Sequence, residues 1–263
     1  CRTPWVSYLP PFRMAPGVYY VSGNDWVACY LIDTGAGLIL IDTAMHETCY
    51  LMLECIRSLG YDPMDIKKIL LTHAHADHIG AARTMKELTG ARVYLGERDL
   101  FMIHERKDLI CSDGYTCGDI EPDEIYLDDK PIVQGNVSVR TISTPGHTPG
   151  CTSMIFDVKE KDGRIYTCGI HGGVGLNTLS REFLEQNGLP LSLQKEFCES
   201  LRMMDRLHVD ICLPSHTNQV GIIPLIGEIT DTHNPFVDES IWHELMHERL
   251  DRMEALIRSV PLL

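Results

Sequence analysis

Along the first third of the chain apolar residues come in short runs rich in β-branched and aromatic side chains. Val18 to Ser22, Trp26 to Asp33 and Gly37 to Thr43 read as strands, parted by Gly and Asn-Asp turn signals. The period then changes. Met52, Cys55, Ile56 and Leu59 fall at i, i+3, i+4 and i+7, one buried helix face, and Gly60 supplies its stop. A short apolar strand, Lys68 to Thr72, runs straight into a polar cluster at residues 73 to 78. A second helix with Ala81, Met85 and Leu88 on one face is predicted to end at Gly90, and Arg92 to Leu95 reads as another strand.

The second half repeats this rhythm. Strands are predicted at Ile132 to Val133, Val137 to Ser143, Thr152 to Asp157 and Arg164 to Cys168. Leu193, Phe197, Leu201 and Met204 mark a helix face, and the strand Val209 to Leu213 delivers Ser215 and His216. Residues 105 to 125 are polar and read as a long loop. Near the end, Trp242, Met246, Leu250, Met253 and Ile257 form an apolar stripe, so a covering helix is expected at about 238–258. Two sheets packed face to face with helices outside would bury these faces, which makes the fold α/β with residues 1–263 as a single domain.

Composition narrows the partners. Hydrophobic residues are 44% and charged residues 23%, and the net charge is −14. An acidic chain is not built to attract a polyphosphate, so nucleic acid is excluded as the main partner. No run approaches the ~20 apolar residues that cross a bilayer, so no membrane partner is expected, and nothing in the charge speaks against a small-molecule substrate, which is the expected partner. The 10 cysteines are scattered without a C-x-x-C pair, and several sit in apolar runs. A reducing, cytoplasmic setting is therefore expected, with Cys111 and Cys117 the pair to check for a disulfide. A start at Cys1 implies processing; a removed signal peptide would place the protein in the periplasm or outside the cell instead. A lipid-modified Cys1 is set aside, because Trp5, Tyr8 and Phe12 follow at once.

The chemistry concentrates in H-x-H-x-D-H at residues 73–78. His73 and His75 can converge on one ion from a loop leaving a strand, while Asp77 and His78 turn to a second. Imidazole and carboxylate suit zinc, and three protein ligands leave a position open for water. Three of the twelve histidines fall in these six residues, which chance surface placement does not explain. His147 follows a strand between two Pro-Gly turns in T-P-G-H-T-P-G, and His216 follows another strand. These motifs resemble the metallo-β-lactamase superfamily over about residues 12 to 220. The resemblance implies a four-layer αββα sandwich with two zinc ions per chain. It implies that His73, His75 and His147 bind the first ion, and Asp77, His78 and His216 the second.

In most hydrolases of that superfamily a Gly-Asp pair follows the strand after the third His, and its aspartate bridges the metals. Here the segment reads Tyr166-Thr167-Cys168-Gly169-Ile170-His171, with Gly169 in the aspartate's place. Shifting Cys168 into that role would resemble the first lactamase subclass, which has no His at the position of His78, so the shift is set aside. The missing bridge, with the stretches 72–93 and 144–153, is similar to the third subclass of metallo-β-lactamases. That resemblance implies a β-lactamase, with Asp77 both binding metal and orienting the nucleophile. A hydrolase of another cyclic or activated ester, a lactone or thioester, is the alternative; a flavodiiron-like redox module is weaker, lacking its acidic ligands. His171 could line the pocket or be a turn residue. Asp42 could hold a ligand His in its tautomer or simply end its strand. His243-Glu244-Leu245-Met246-His247 spells H-E-x-x-H but lacks a third-ligand motif, and reads as part of the covering helix.

Overall fold

The computed structural model describes residue 3 and residues 6–111, 116–230 and 232–259; Cys1 and Trp5 lie outside them. The first sheet contains β1 (Phe12–Ala15), β2 (Val18–Tyr20), β3 (Tyr30–Asp33), β4 (Leu38–Ile41), β5 (Ile66–Leu70), β6 (Arg92–Leu95) and β7 (Glu124–Ile125), in that order across the sheet. β1 to β4 pair antiparallel and β4 to β7 parallel. The second contains β8 (Ile132–Gln134), β9 (Val137–Ser143), β10 (Thr152–Lys159), β11 (Ile165–Ile170) and β12 (Ile211–Cys212), in the order β12-β11-β10-β9-β8, with only β11 and β12 parallel. Each half of the chain thus makes its own sheet.

The side-chain alternation of the strands sets the layers. In β4, Leu38 and Leu40 face one apolar cluster while Ile39 and Ile41 face another. The first cluster lies under α1 (Cys49–Ser58), α2 (Ala76–Ile79), α3 (Ala82–Thr89), α4 (Leu100–His104) and α5 (Lys107–Ile110). The second joins the sheets, with Met154, Phe156 and Val158 of β10 against Tyr30 and Ile32 of β3. A third packs the outer face of the second sheet under α6 (Arg181–Gln186), α7 (Ser192–Met204) and α9 (Glu239–Arg258), with α8 (Ile222–Leu225) beside the middle cluster. Three apolar interfaces make four layers, αββα. A strand buried on both faces must be apolar throughout, which is why β3 and β4 read as runs rather than as alternation.

Most expected elements stand where the pattern puts them. α3 ends at Gly90 in the left-handed conformation (φ 69°). α9 occupies 239–258, with the Trp242 indole fully buried and its Nε1 donating to Met204 O at 3.0 Å. Two expectations change. The stretch from Trp26 is not continuous strand: β3 begins at Tyr30, and Val27 instead bridges to His216. Residues 105–125 are not one loop. α5 and β7 lie within them, and Leu109, Ile110 and Ile120 anchor the segment in the first cluster, because isolated apolar residues between charges still find a core that periodicity does not announce. Cys111 and Cys117 are free thiols. No helix among the described residues is long and apolar enough to cross a membrane.

Candidate metal centre

Five strand ends converge on one rim. β4 leads to Asp42, β5 to 73–78, β9 to 144–151, β11 to 171–175 and β12 to Ser215 and His216. Parallel β4 and β5 put Asp42 beside the histidine cluster, with Asp42 N donating to Leu70 O at 3.0 Å. Thr152 N donates to Thr72 O at 2.9 Å, which ties the second sheet to the first at the site. Ala28 N donates to Ser215 O and Thr217 N to Trp26 O, so the segment bearing His216 is strapped to the segment bearing Trp26.

The six residues singled out above come together as two triads. Ligand atoms of His73, His75 and His147 lie within 4.8 Å of one another, and so do those of Asp77, His78 and His216. In the first, His75 Nδ1 and His147 Nε2 face each other at 3.0 Å. In the second, His78 Nε2 lies 3.3 Å from His216 Nε2, and Asp77 Oδ2 lies 3.4 Å from His216 Nε2 and 3.6 Å from His78 Nε2. Three outward ring nitrogens are engaged: His73 Nδ1 donates to Gly172 O at 2.7 Å, His147 Nδ1 to Gly175 O at 3.0 Å and His78 Nδ1 to Asp42 Oδ2 at 2.8 Å. Those bonds leave an Nε2 lone pair on each ring aimed inward. His73 Nε2 is buried with no hydrogen-bond partner, which is costly for a polar atom unless something is bound there. Convergent, unprotonated nitrogens with one carboxylate fit a pair of zinc ions by donor type and number.

Electrostatics keep four of the five triad histidines unprotonated, His78 being the exception. Burial pushes His75 and His216 down to about 4. His73 and His147 are held well below the usual histidine range by burial and by each other's company. Burial alone would lower His78 too, but the Asp77 and Asp42 carboxylates outweigh it and raise it. Asp77 is lowered, because His78, His216 and the other imidazoles overcome its burial, so it stays ionised. These shifts carry a pH consequence. His75, His171 and His216 take up protons near 6.5 in the unfolded chain but only near 4 in the folded one. The unfolded state therefore binds more protons between those values, and stability is lost as pH falls from 6.5 towards 4. Asp99, raised by burial to about 6, and His78, raised by its carboxylate neighbours, work in the opposite sense, but they are two groups against the five lowered histidines. Chelator-treated protein is expected to melt at a lower temperature at pH 5 than at pH 7; an equal or higher midpoint at pH 5 would contradict it.

The remaining candidates fall outside the triads. Asp42 does hold His78 in its tautomer, while also accepting from Thr72 N and Oγ1 at 2.7 Å each. It does so from a left-handed backbone (φ 56°), a strained conformation for a non-glycine residue that only the folded site reveals. His171 is a turn residue: it is buried beside Phe197, its Nδ1 accepts from Gly173 N at 3.2 Å, and it does not line the cavity. Position 169 faces away from the triads, since a Cβ on Gly169 would lie 2.8 Å from the Val209 side chain in the outer cluster. Cys168 points into the apolar layer between the sheets and joins neither triad. His243 and His247 both bond Asp205 at the end of α7, at 2.8 and 3.0 Å, and Glu244 is exposed, so the H-E-x-x-H segment clamps two helices. Asp99, fully buried between two ligand-bearing loops, carried no motif and was missed.

The triads open into a cavity of about 230 Å³, completed by Trp26, Val174, Asn177, Ser215 and Gln219. The Trp26 ring lies 5.2 Å from that of His216.

A family model described as the metallo-beta-lactamase superfamily matches residues 25–161, just over half the chain. Among solved structures, the chain is similar to BJP-1, a subclass B3 metallo-beta-lactamase of Bradyrhizobium japonicum, with a TM-score of 0.87 and 26% identity over 98% of this chain and 97% of that one. It is also similar to LRA-12, a class B3 di-zinc metallo-beta-lactamase from an Alaskan soil metagenome, with a TM-score of 0.81 and 26% identity over 96% of each. An N-acyl homoserine lactonase of Bacillus sp. is 27% identical over 165 residues, 53% of this chain and 61% of the lactonase. The chain spans about half to three fifths of the length of the curated relatives it matches.

Proposed function

This chain belongs to the metallo-β-lactamase superfamily, and on that premise we propose that it is a dinuclear zinc hydrolase that opens a cyclic amide, a β-lactam by class. The observation that carries the proposal is the pair of triads facing one cavity, three histidines in one and two histidines with Asp77 in the other. His73, His75 and His147 hold the first ion; Asp77, His78 and His216 hold the second. Bound there, the ions supply Lewis acidity that activates water and polarises a carbonyl at neutral pH. The chain's own residues do the rest. Asp77, 13% exposed and kept ionised by its histidine neighbours, orients the attacking water by accepting its hydrogen bond. Asn177, Ser215 and Gln219 offer hydrogen bonds at the cavity wall, and Trp26 and Val174 offer apolar contact to a ring.

A β-lactam is the first reading because BJP-1 and LRA-12, similar over 96% or more of this chain, are B3 metallo-beta-lactamases. Hydrolysis of a lactone or thioester by the same residues is the second reading, supported by the N-acyl homoserine lactonase. The test incubates zinc-loaded protein with a chromogenic cephalosporin, a carbapenem and an acyl homoserine lactone, each with a chelator-treated control. Chelator-sensitive ring opening of a lactam with kcat/KM at or above ~10⁴ M⁻¹s⁻¹, the lower end of typical enzymes, supports the proposal. Turnover of the lactone alone would shift it to the second reading.

A further inference from the structure

We propose that Asp99 is the positioning residue for the His73–His75–His147 triad, holding the two loops that carry those histidines at the separation one ion requires. The inference rests on the reading that this triad binds zinc. Asp99 closes the short turn Glu97–Asp99 after β6, and it is completely buried. Its three hydrogen-bond partners are two backbone amides and a hydroxyl. Ala74 N donates to Oδ2 at 2.8 Å, Thr148 Oγ1 to Oδ2 at 2.8 Å, and Gly150 N to Oδ1 at 2.6 Å. Ala74 stands between His73 and His75, and Thr148 follows His147. One carboxylate therefore joins, within one residue on each side, every donor of the triad. No other side chain bonds both loops in this way among the described residues.

A carboxylate buried without a hydrogen-bonded cation is expensive. Its three donors compensate that cost, and an apolar residue here would leave two buried amides and a hydroxyl without their Asp99 acceptor. The backbone is shaped around it: a Cβ on Gly150 would lie 2.4 Å from Asp99 N and 2.7 Å from its Cγ, and a Cβ on Gly96 would lie 2.0 Å from Gly150 O. The 96–99 turn meets the His147 loop at backbone contact, and the Asp99 carboxylate reaches on to Ala74 in the other loop. Asp42 has the matching place at the other triad, bonded to Thr72 and to His78 Nδ1. Asp42 bonds a ligand imidazole of the second triad directly and reaches His73 of the first only through Thr72 Oγ1, whereas Asp99 bonds the first triad's loops alone, so the two substitutions should differ in effect.

Asp99→Asn keeps the volume but turns an amide NH₂ towards groups that themselves donate, so at least one of the three bonds is lost. Carboxylates that bond a ligating His directly are worth about 10- to 100-fold in metal affinity, and the same scale is expected of Asp99, which holds the ligands through their loops. In a zinc titration competed by a chromogenic chelator, wild-type protein is expected to bind two ions. D99N should bind one with unchanged affinity and the other about 10- to 100-fold more weakly. Asp42→Asn should also weaken one ion, and the D42N and D99N proteins reloaded with cobalt should differ in their visible spectra, because different triads remain filled. If D99N does not fold, Thr148→Ala, which removes one bond only, should give a smaller loss in the same single ion. A residue that merely supports the fold would lower Tm and leave both affinities as they were; that result, or equal weakening of both ions, overturns the proposal. Fewer than two ions in wild-type protein would instead overturn the two-zinc reading on which it rests.

Discussion

Asp77→Ala is expected to lower kcat/KM by about 10³-fold or more while leaving the fold in place. The carboxylate does two things at once: it completes the second triad from 3.4 and 3.6 Å, and it is the ionised group nearest the attacking water in the proposed reaction. Proton-handling groups alone contribute about 10²- to 10⁴-fold, and loss of a ligand adds to that. Folding should survive, because Asp77 lies in the first turn of α2 and outside all three apolar clusters, where alanine is a good helix former. Steady-state kinetics, a count of bound zinc and a melting curve on the same preparation check it. Unchanged turnover with two ions still bound would remove Asp77 from both roles.

Stripping the ions is expected to lower Tm by ten degrees or more at pH 7.5. A ligand that binds only the native state stabilises it by about 4 kcal/mol at a thousandfold excess over Kd. Two such sites contribute roughly 8 kcal/mol, and each kcal/mol is worth about 2 °C or more in a chain of this size. The structure shows why little replaces that energy. The fold brings the His75 and His147 nitrogens to 3.0 Å and the His78 and His216 nitrogens to 3.3 Å, and gives His73 Nε2 no partner within the protein, so the chain itself offers these donors little in place of a cation. Calorimetry before and after chelation, with the chelator dialysed away, measures the drop; adding zinc back should restore it. A shift under about 2 °C would mean that the triads do not bind ions tightly enough to matter for the fold.

Much of this was legible in the chain itself. Strand and helix periods placed most elements and gave two sheets, because burial on a sheet face or a helix stripe leaves a local mark every two or every 3.6 residues. The candidate ligand residues were legible because His and Asp are metal-donor types, and here they stand at strand ends in short motifs. What stayed hidden has no local mark. α5 and β7 are too short to show a period, and H-E-x-x-H read correctly as a helix but concealed that both its histidines meet Asp205.

The sequence by itself determined the donor types, their placement after strands and the acidic, apolar-layered character of the chain. The resemblance also implied which donors share a triad; only the tertiary structure brought them together and decided what holds them. His75 meets His147 across 72 residues, and His78 meets His216 across 138. Asp42 and Asp99 reach these loops from neighbouring strand ends. The physical reason is that periodicity reports how a segment is buried, whereas a metal triad depends on which strand ends lie side by side, and that is set by the register and packing of two whole sheets.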